Sequence, residues 1–296
     1  MVNVQTEPLK MKDDIMFKAF FSKKGNEKFL KDFLNSIFGK EIKIKKVIHD
    51  ARLEQLAKHQ KYGVLDLDVE LESGEIVNIE MQMDDHHNME KRTTFYASKK
   101  VEEQFAPKTK YSDLKNVIVI AILNFNFIKL PEYVTKTVRV ADKHRDYEVN
   151  NNVTYYYIEL EKFREQNPDM TLPVNQWLAF IDMEKGELLE MAKKENKLIK
   201  EAVEQYNILT GDAEVKRLAE IRMLSEMEEQ AALEVAETKG AQKGLAEGEK
   251  IGFERGQKDE KIKTAKKLLK LKMPIEQIQE ITGLSEAEIK ELNSEG

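Results

Sequence analysis

The chain has 296 residues, 41% of them apolar and 34% charged, which allows one sizeable core and points to long exposed helices. Its formal net charge of −6 excludes nucleic-acid binding by bulk charge, so any such binding needs local basic patches. It contains no cysteine, which excludes disulfides, thiolate zinc sites and thiol catalysis and suits a reducing, cytoplasmic location.

Residues 1–10 read as a loose tail, and no apolar segment follows a basic start, so no signal peptide is expected. Asp13 and Asp14 precede I-M-F-K-A-F-F, placing acids in the first turn of a predicted helix. Phe29, Leu30, Phe33, Leu34 and Ile37 predict a second amphipathic helix that stops at Gly39. Ile42, Ile44, Val47 and Ile48 suggest a strand, and residues 52–61 carry no clear period.

Residues 64–83 are the most informative stretch. Leu65, Leu67, Val69 and Leu71 alternate with Asp66, Asp68 and Glu70, and Val77, Ile79, Met81 and Met83 alternate with Asn78, Glu80 and Gln82. This period of two predicts a pair of half-buried strands around a turn. A loop of Glu72, Ser73 and a left-handed Gly74 sets the register. Leu71 then faces Glu75, while Val69 meets Val77, Leu67 meets Ile79 and Leu65 meets Met81 on the apolar face. On the polar face Asp68 meets Asn78 and Asp66 meets Glu80. That last like-charge pair destabilises a hairpin, and no Lys or Arg alternates onto the face to relieve it. A divalent cation would, since Mg²⁺ accepts paired carboxylates plus waters. The other reading is a solvated polar face on an edge hairpin.

Residues 84–88 form a polar connection, and a helix over 89–105 follows, closed by Pro107. Arg92 and Tyr96 share one face of it, with Lys99 and Lys100 a turn further. Beside metal-holding carboxylates such a face suits a phosphodiester. The metal polarises the phosphate and lowers the pKa of a bound water, and Arg92 can grip phosphate oxygens by its planar fork. His86 and His87 lack the spaced partners of a histidine metal site and read as surface-loop residues. Residues 116–125 are a continuous apolar run, expected of a central strand buried on both faces and far too short to span a bilayer. Strands over 133–140 and 153–160 and a helix over 173–182, with the lone Trp177, complete an α/β unit ending near residue 185.

Composition then changes. Residues 186–237, rich in Glu, Lys, Ala, Leu and Met, predict two long helices broken near Thr210 and Gly211. Gly240, Gly244, Gly248, Gly252 and Gly256 follow at a spacing of four. They make either a helical stripe where another backbone can approach, admitting a homo-oligomer, or a partly helical linker. Each Gly costs a helix about 1 kcal/mol relative to Ala. The spacing and the lack of a preceding strand exclude a phosphate loop. Residues 261–271 predict a Lys-rich amphipathic helix. Pro274 opens another over 275–281, and Ser285 with Glu288 caps a third over 286–292, a helix-turn-helix-like shape. Seven lysines between positions 258 and 272, against Asp259 and Glu260, either meet phosphates or form a solvated face.

The order helix, acidic hairpin, helix, apolar strand resembles the core of the PD-(D/E)XK nuclease superfamily. More specifically, D-D-I-M-F-K-A-F-F at 13–21, V-N-I-E-M-Q-M at 77–83 and the R-x-x-x-Y of Arg92 and Tyr96 resemble the recombination-promoting nuclease (transposase-like) family. So do Y-I-E-L-E-K-F at 157–163, Trp177, the glycine repeat and the tail segments A-K-K-L-L-K and I-T-G-L-S. The resemblance implies an α/β, restriction-endonuclease-like core over 1–185, a mixed central sheet flanked by helices. An all-helical C-terminal extension would comprise long helices and a glycine connector over 186–258 and a small bundle over 259–296.

Carried over by residue, the resemblance makes Asp66 and Glu80 the two carboxylates that hold Mg²⁺, or Mn²⁺ as a substitute, together with the backbone carbonyl of Met81. Gln82 stands where the superfamily usually has lysine and would orient the water by hydrogen bonds alone. Leu65 stands where the parent motif has proline. Asp14 matches the family's first-helix acid, which reaches the site's water or caps its own helix, and Arg92 and Tyr96 serve the substrate phosphate. The implied activity is metal-dependent hydrolysis of DNA phosphodiester bonds, in recombination or in defence against mobile DNA, with no membrane involved. Two other classes compete: a non-catalytic DNA- or partner-binding relative, given Gln82, and a helical oligomerisation protein that uses the core as scaffold.

Overall fold

The computed structural model describes residues 9–48, 67–107, 109–149 and 152–294. Contacts divide the chain into two compact units, one up to Ser225 and one from Glu226.

In the first unit, α1 (Asp14–Ser22) and α2 (Glu27–Phe38) form where the sequence predicts them. Gly39 ends α2 at φ 63°, its N–H donating to the Asn35 carbonyl at 2.9 Å. Six strands follow in one mixed sheet: β1 (Ile44–Ile48), β2 (Leu67–Leu71), β3 (Ile76–Gln82), β4 (Val117–Leu123), β5 (Val134–Thr137) and β8 (Val153–Glu159). Their spatial order is β1-β2-β3-β4-β8-β5. Strands β3, β4 and β8 run parallel, and the other pairings are antiparallel. The buried apolar run predicts β4 correctly as a central strand.

The hairpin register follows the alternation: Leu67 pairs with Ile79, Asp68 with Asn78 and Val69 with Val77. Gly74 turns at φ 91°, its N–H reaching the Leu71 carbonyl at 2.9 Å, and the Leu71 N–H reaches the Glu75 carbonyl at 2.9 Å. A Cβ on Gly74 would also meet the Lys115 side chain at 3.1 Å. The expected pairs of Leu65 with Met81 and Asp66 with Glu80 lie outside the described residues.

The hairpin is not at an edge, which corrects one reading. β1 pairs with β2, and β4 continues the sheet beyond β3. Nor is its polar face solvated. Helix α3 (Met89–Glu102), which stops three residues before the expected 105, lies over it, so Asn78 and Glu80 are buried. The stretch 133–140 also divides, into β5 and a short β6 (Val140–Ala141) that pairs with β7 (His144–Glu148). Every residue of β7 is exposed, so it carries no apolar period for sequence to reveal.

The opposite sheet face packs on α1, α2 and α5 (Pro173–Asp182) around Phe17, Phe20, Phe21, Phe29, Phe33 and Trp177. The Trp177 indole donates to Asp32 Oδ2 at 2.9 Å, satisfying the one polar group of a fully buried ring. After the short α4 (Leu160–Glu165) and α5, three helices replace the predicted two: α6 (Gly186–Glu195), α7 (Lys197–Leu209) and α8 (Ala213–Lys270). The unexpected break is at Asn196, whose side chain caps α7 by accepting from the Leu198 N–H at 2.9 Å. Ala192, Ile199, Ala202, Tyr206 and Leu209 join the core, so the first unit extends past residue 185 to Ser225.

Helix α8 passes through all five repeat glycines without interruption, not as a partly helical linker. In the second unit its last turns pack with α9 (Ile275–Thr282) and α10 (Glu286–Ser294) around Ala265, Ile278, Leu284 and Ile289. Ser285 and Glu288 form the expected capping box, at 3.4 Å from the Glu288 N–H to Ser285 Oγ and 2.9 Å from the Ser285 N–H to Glu288 Oε2. No helix among the described residues is long and apolar enough to cross a membrane.

Candidate active site

Alternation along β3 puts Glu80 and Gln82 on the α3 face of the sheet and the Met81 side chain in the core beneath. Helix α3 is fixed there by Met89 against Ala121, Leu123 and Tyr157, and by Ala97 against Val117 and Val119. Arg92 and Tyr96 are thereby brought to Glu80. Arg92 Nε donates to Glu80 Oε1 at 2.9 Å, and the guanidinium lies 5.7 Å from the centre of the Tyr96 ring. Gln82 Nε2 donates to the same Glu80 Oε1 at 2.8 Å and to the Met81 carbonyl at 2.9 Å. Glu80 is only 2% exposed, and its Oε2 has no hydrogen-bond partner among the described residues. Burial raises the Glu80 carboxyl above its ordinary pKa, while the Arg92 charge and hydrogen bonding from Arg92 and the Tyr96 hydroxyl act in the opposite direction.

Helix α3 brings cations to the described part of the hairpin's polar face. Lys100, two turns after Arg92, donates to Asp68 Oδ2 at 2.7 Å, and Asn78 Nδ2 donates to Asp68 Oδ1 at 2.8 Å. Nothing along the strand marks Lys100 as the partner of Asp68. The spacing of Lys100 from Arg92 and Tyr96 was the available signal. Arg92, expected to serve the substrate phosphate, is engaged with Glu80.

The atoms fit a hard cation. Glu80 Oε1 and the Met81 carbonyl converge on one donor, Gln82 Nε2, and Glu80 Oε2 is an orphaned buried acceptor. Among the described residues no three or more His, Cys, Asp or Glu gather as a metal-holding group, and Asp66, the expected second carboxylate, lies outside them. Asp14 opens α1, where its Oδ1 accepts from the Ile15 N–H at 2.7 Å, and α1 lies against β2 and β3. Lys18, one turn later, is buried, although its place among I-M-F-K-A-F-F gives no sign of this in the sequence. His86 and His87 are exposed in the β3–α3 connection.

A mixed sheet with an acid-x-Gln strand at its centre, helices on both faces and a leading helix against the hairpin defines a restriction-endonuclease-like α/β protein. The family profile described as "PD-(D/E)XK nuclease family transposase" matches residues 11–236. The one described as "Rpn/YhgA-like nuclease family, C-terminal HTH domain" matches residues 258–294. The chain belongs to the PD-(D/E)XK nuclease family of transposases, with an Rpn/YhgA-like C-terminal helix-turn-helix domain. No curated protein and no solved structure matches it significantly.

Proposed function

We propose that the protein is a metal-dependent DNA endonuclease, acting in the cytoplasm on mobile or recombining DNA. The observation that carries this reading is the convergence of Glu80 Oε1 and the Met81 carbonyl beside the unpartnered Glu80 Oε2. A buried carboxylate with an unused oxygen is costly unless something is meant to bind it.

Glu80, the Met81 carbonyl and Asp66 would hold the ion, Mg²⁺ or Mn²⁺. Bound there, it would polarise the phosphate and supply a nucleophile near neutral pH. Gln82 would turn its amide from these oxygens to orient the attacking water. Asp14 begins a helix that packs on the other face of β2 and β3, and would contact that water from the end of the sheet. Arg92 would exchange its bond to Glu80 for a phosphate oxygen once the carboxylate is neutralised, with Tyr96 holding the guanidinium over its ring. The glycine repeat of α8 supports self-association of the chain through its C-terminal helices.

The test is supercoiled-plasmid nicking with Mg²⁺, Mn²⁺ or EDTA, using wild type and Glu80→Gln. Cleavage that needs the ion and Glu80 supports the reading. Binding of DNA without cleavage in any metal would leave the non-catalytic alternative, for which the Gln82 and Arg92 bonds to Glu80 would be the resting arrangement.

A further inference from the structure

In a helix-turn-helix the second helix of the motif ordinarily enters the major groove. Here that helix is α10, and its chemistry is wrong for the task. It carries Glu286, Glu288 and Glu291 against a single base, Lys290, which pairs with Glu286 at 2.5 Å. Glu288 is committed to the capping box with Ser285. Helix α9 adds Glu276 and Glu280, both exposed. Carboxylates presented on both helices of the motif repel a phosphate backbone.

The basic surface of the same unit lies on α8. Ile262, Ala265, Leu268 and Leu269 face its core. Lys263, Lys266, Lys267 and Lys270, spaced i, i+3, i+4 and i+7, form one exposed stripe on the opposite side. None of these four pairs with an acid among the described residues, whereas Lys258 lies 3.9 Å from Glu288. At helical rise the stripe is about 10 Å long, enough to face roughly six phosphate charges of a duplex.

We infer that the second unit meets DNA through this lysine stripe, on the phosphate backbone and without reading sequence, and that α10 stays out of the groove. The inference rests on DNA being the substrate. It makes this unit a tether that holds the nuclease on any duplex, leaving target choice to the first unit.

The experiment compares the full chain with its Lys263→Gln/Lys266→Gln/Lys267→Gln/Lys270→Gln variant, by fluorescence anisotropy in EDTA on several unrelated duplexes across a salt series. The glutamine variant should show a log K against log salt slope shallower by about two to three and a half, the limit being about 0.9 per lost contact. Its affinity should fall by the same factor on every duplex. The four-arginine variant should keep both slope and affinity, and Glu286→Gln with Glu291→Gln should weaken neither. An unchanged slope in the glutamine variant overturns the inference. So does a loss confined to one duplex sequence, or a loss of self-association with DNA binding intact, which would assign the stripe to the acidic face of a second copy. A wild type that nicks plasmid while the glutamine variant keeps its slope sinks the stripe alone. A wild type that neither binds nor nicks sinks the nuclease reading with it.

Discussion

Arg92 Nε donates to Glu80 Oε1 at 2.9 Å across the seam between α3 and the sheet, joining a side chain 24% exposed to one only 2% exposed. Removing the guanidinium strands a buried carboxylate. Breaking a fully buried pair costs about 3–5 kcal/mol, and the partial exposure of Arg92 should reduce this to about 1–3 kcal/mol. Arg92→Met should therefore lower the thermal midpoint in EDTA. Added Mg²⁺ should recover more stability in the variant than in wild type, because the ion replaces the lost countercharge. Identical Mg²⁺ shifts in the two proteins would show that Glu80 does not bind the ion.

A second ion-pair cluster ties the chain before α1 to the end of α5, and it predicts a pH effect. Lys10 and Lys12 both reach Glu184 Oε1, at 2.8 and 2.7 Å, and their hydrogen bonds hold its carboxyl down from an ordinary 4.5 to about 2. Because the folded value is depressed, this stabilisation is fully present above about pH 4.5 and is lost as the pH falls through about 2. Glu184 is 34% exposed, so solvent screening leaves on the order of 1 kcal/mol. Urea unfolding should find Glu184→Gln weaker than wild type by that amount at neutral pH, with the gap closing towards pH 2. A gap that stays constant across this range would mean that packing, not charge, is responsible.

The strands and the site were legible in the sequence to different depths. Alternation fixed the pairing of Leu67 with Ile79 and Val69 with Val77, because a one-residue slip would exchange the two faces. It also put Glu80 and Gln82 on a common face. What it could not reveal is which element covers that face. The partners of Glu80 and Asp68 are Arg92 and Lys100, on a helix whose placement depends on Met89 and Ala97 packing against β4 and β8. A tertiary contact of this kind leaves no period along a strand. The break at Asn196 escaped for the opposite reason: a local cap interrupts a composition that is otherwise helical throughout.

The glycine repeat supplies a third prediction. Among the described residues, and apart from the helix's own backbone, nothing lies within 4 Å of a Cβ built on Gly240, Gly244, Gly248, Gly252 or Gly256. Within the single chain, then, Gly244→Ala and Gly248→Ala should each stabilise α8 by up to about 1 kcal/mol, measured as increased helical circular dichroism and a higher midpoint. Self-association through the stripe should respond in the other direction, since added methyls keep two backbones apart. Analytical ultracentrifugation of the double variant should show weaker association than wild type. Unchanged association alongside greater helicity would remove the glycines from any interface.

The last prediction concerns Gln82, whose amide bridges Glu80 Oε1 and the Met81 carbonyl at 2.8 and 2.9 Å. If these oxygens serve the ion, Glu80→Gln should abolish nicking without unfolding the chain, because it removes charge and keeps volume. Gln82→Ala removes only a hydrogen-bonding group near the reacting centre and should slow cleavage by about 10²-fold. Gln82→Lys restores the charge that the parent motif carries. Its ammonium would reach the same two oxygens, so in EDTA it should stabilise the fold by pairing with the buried Glu80. With Mg²⁺ it should cleave at least as fast as wild type, since the added charge can favour the attacking hydroxide. Nicking rates and thermal midpoints with and without Mg²⁺ separate the outcomes. Wild-type cleavage by Glu80→Gln, or equal rates for Gln82→Ala and wild type, would show that the bridged oxygens lie away from the chemistry.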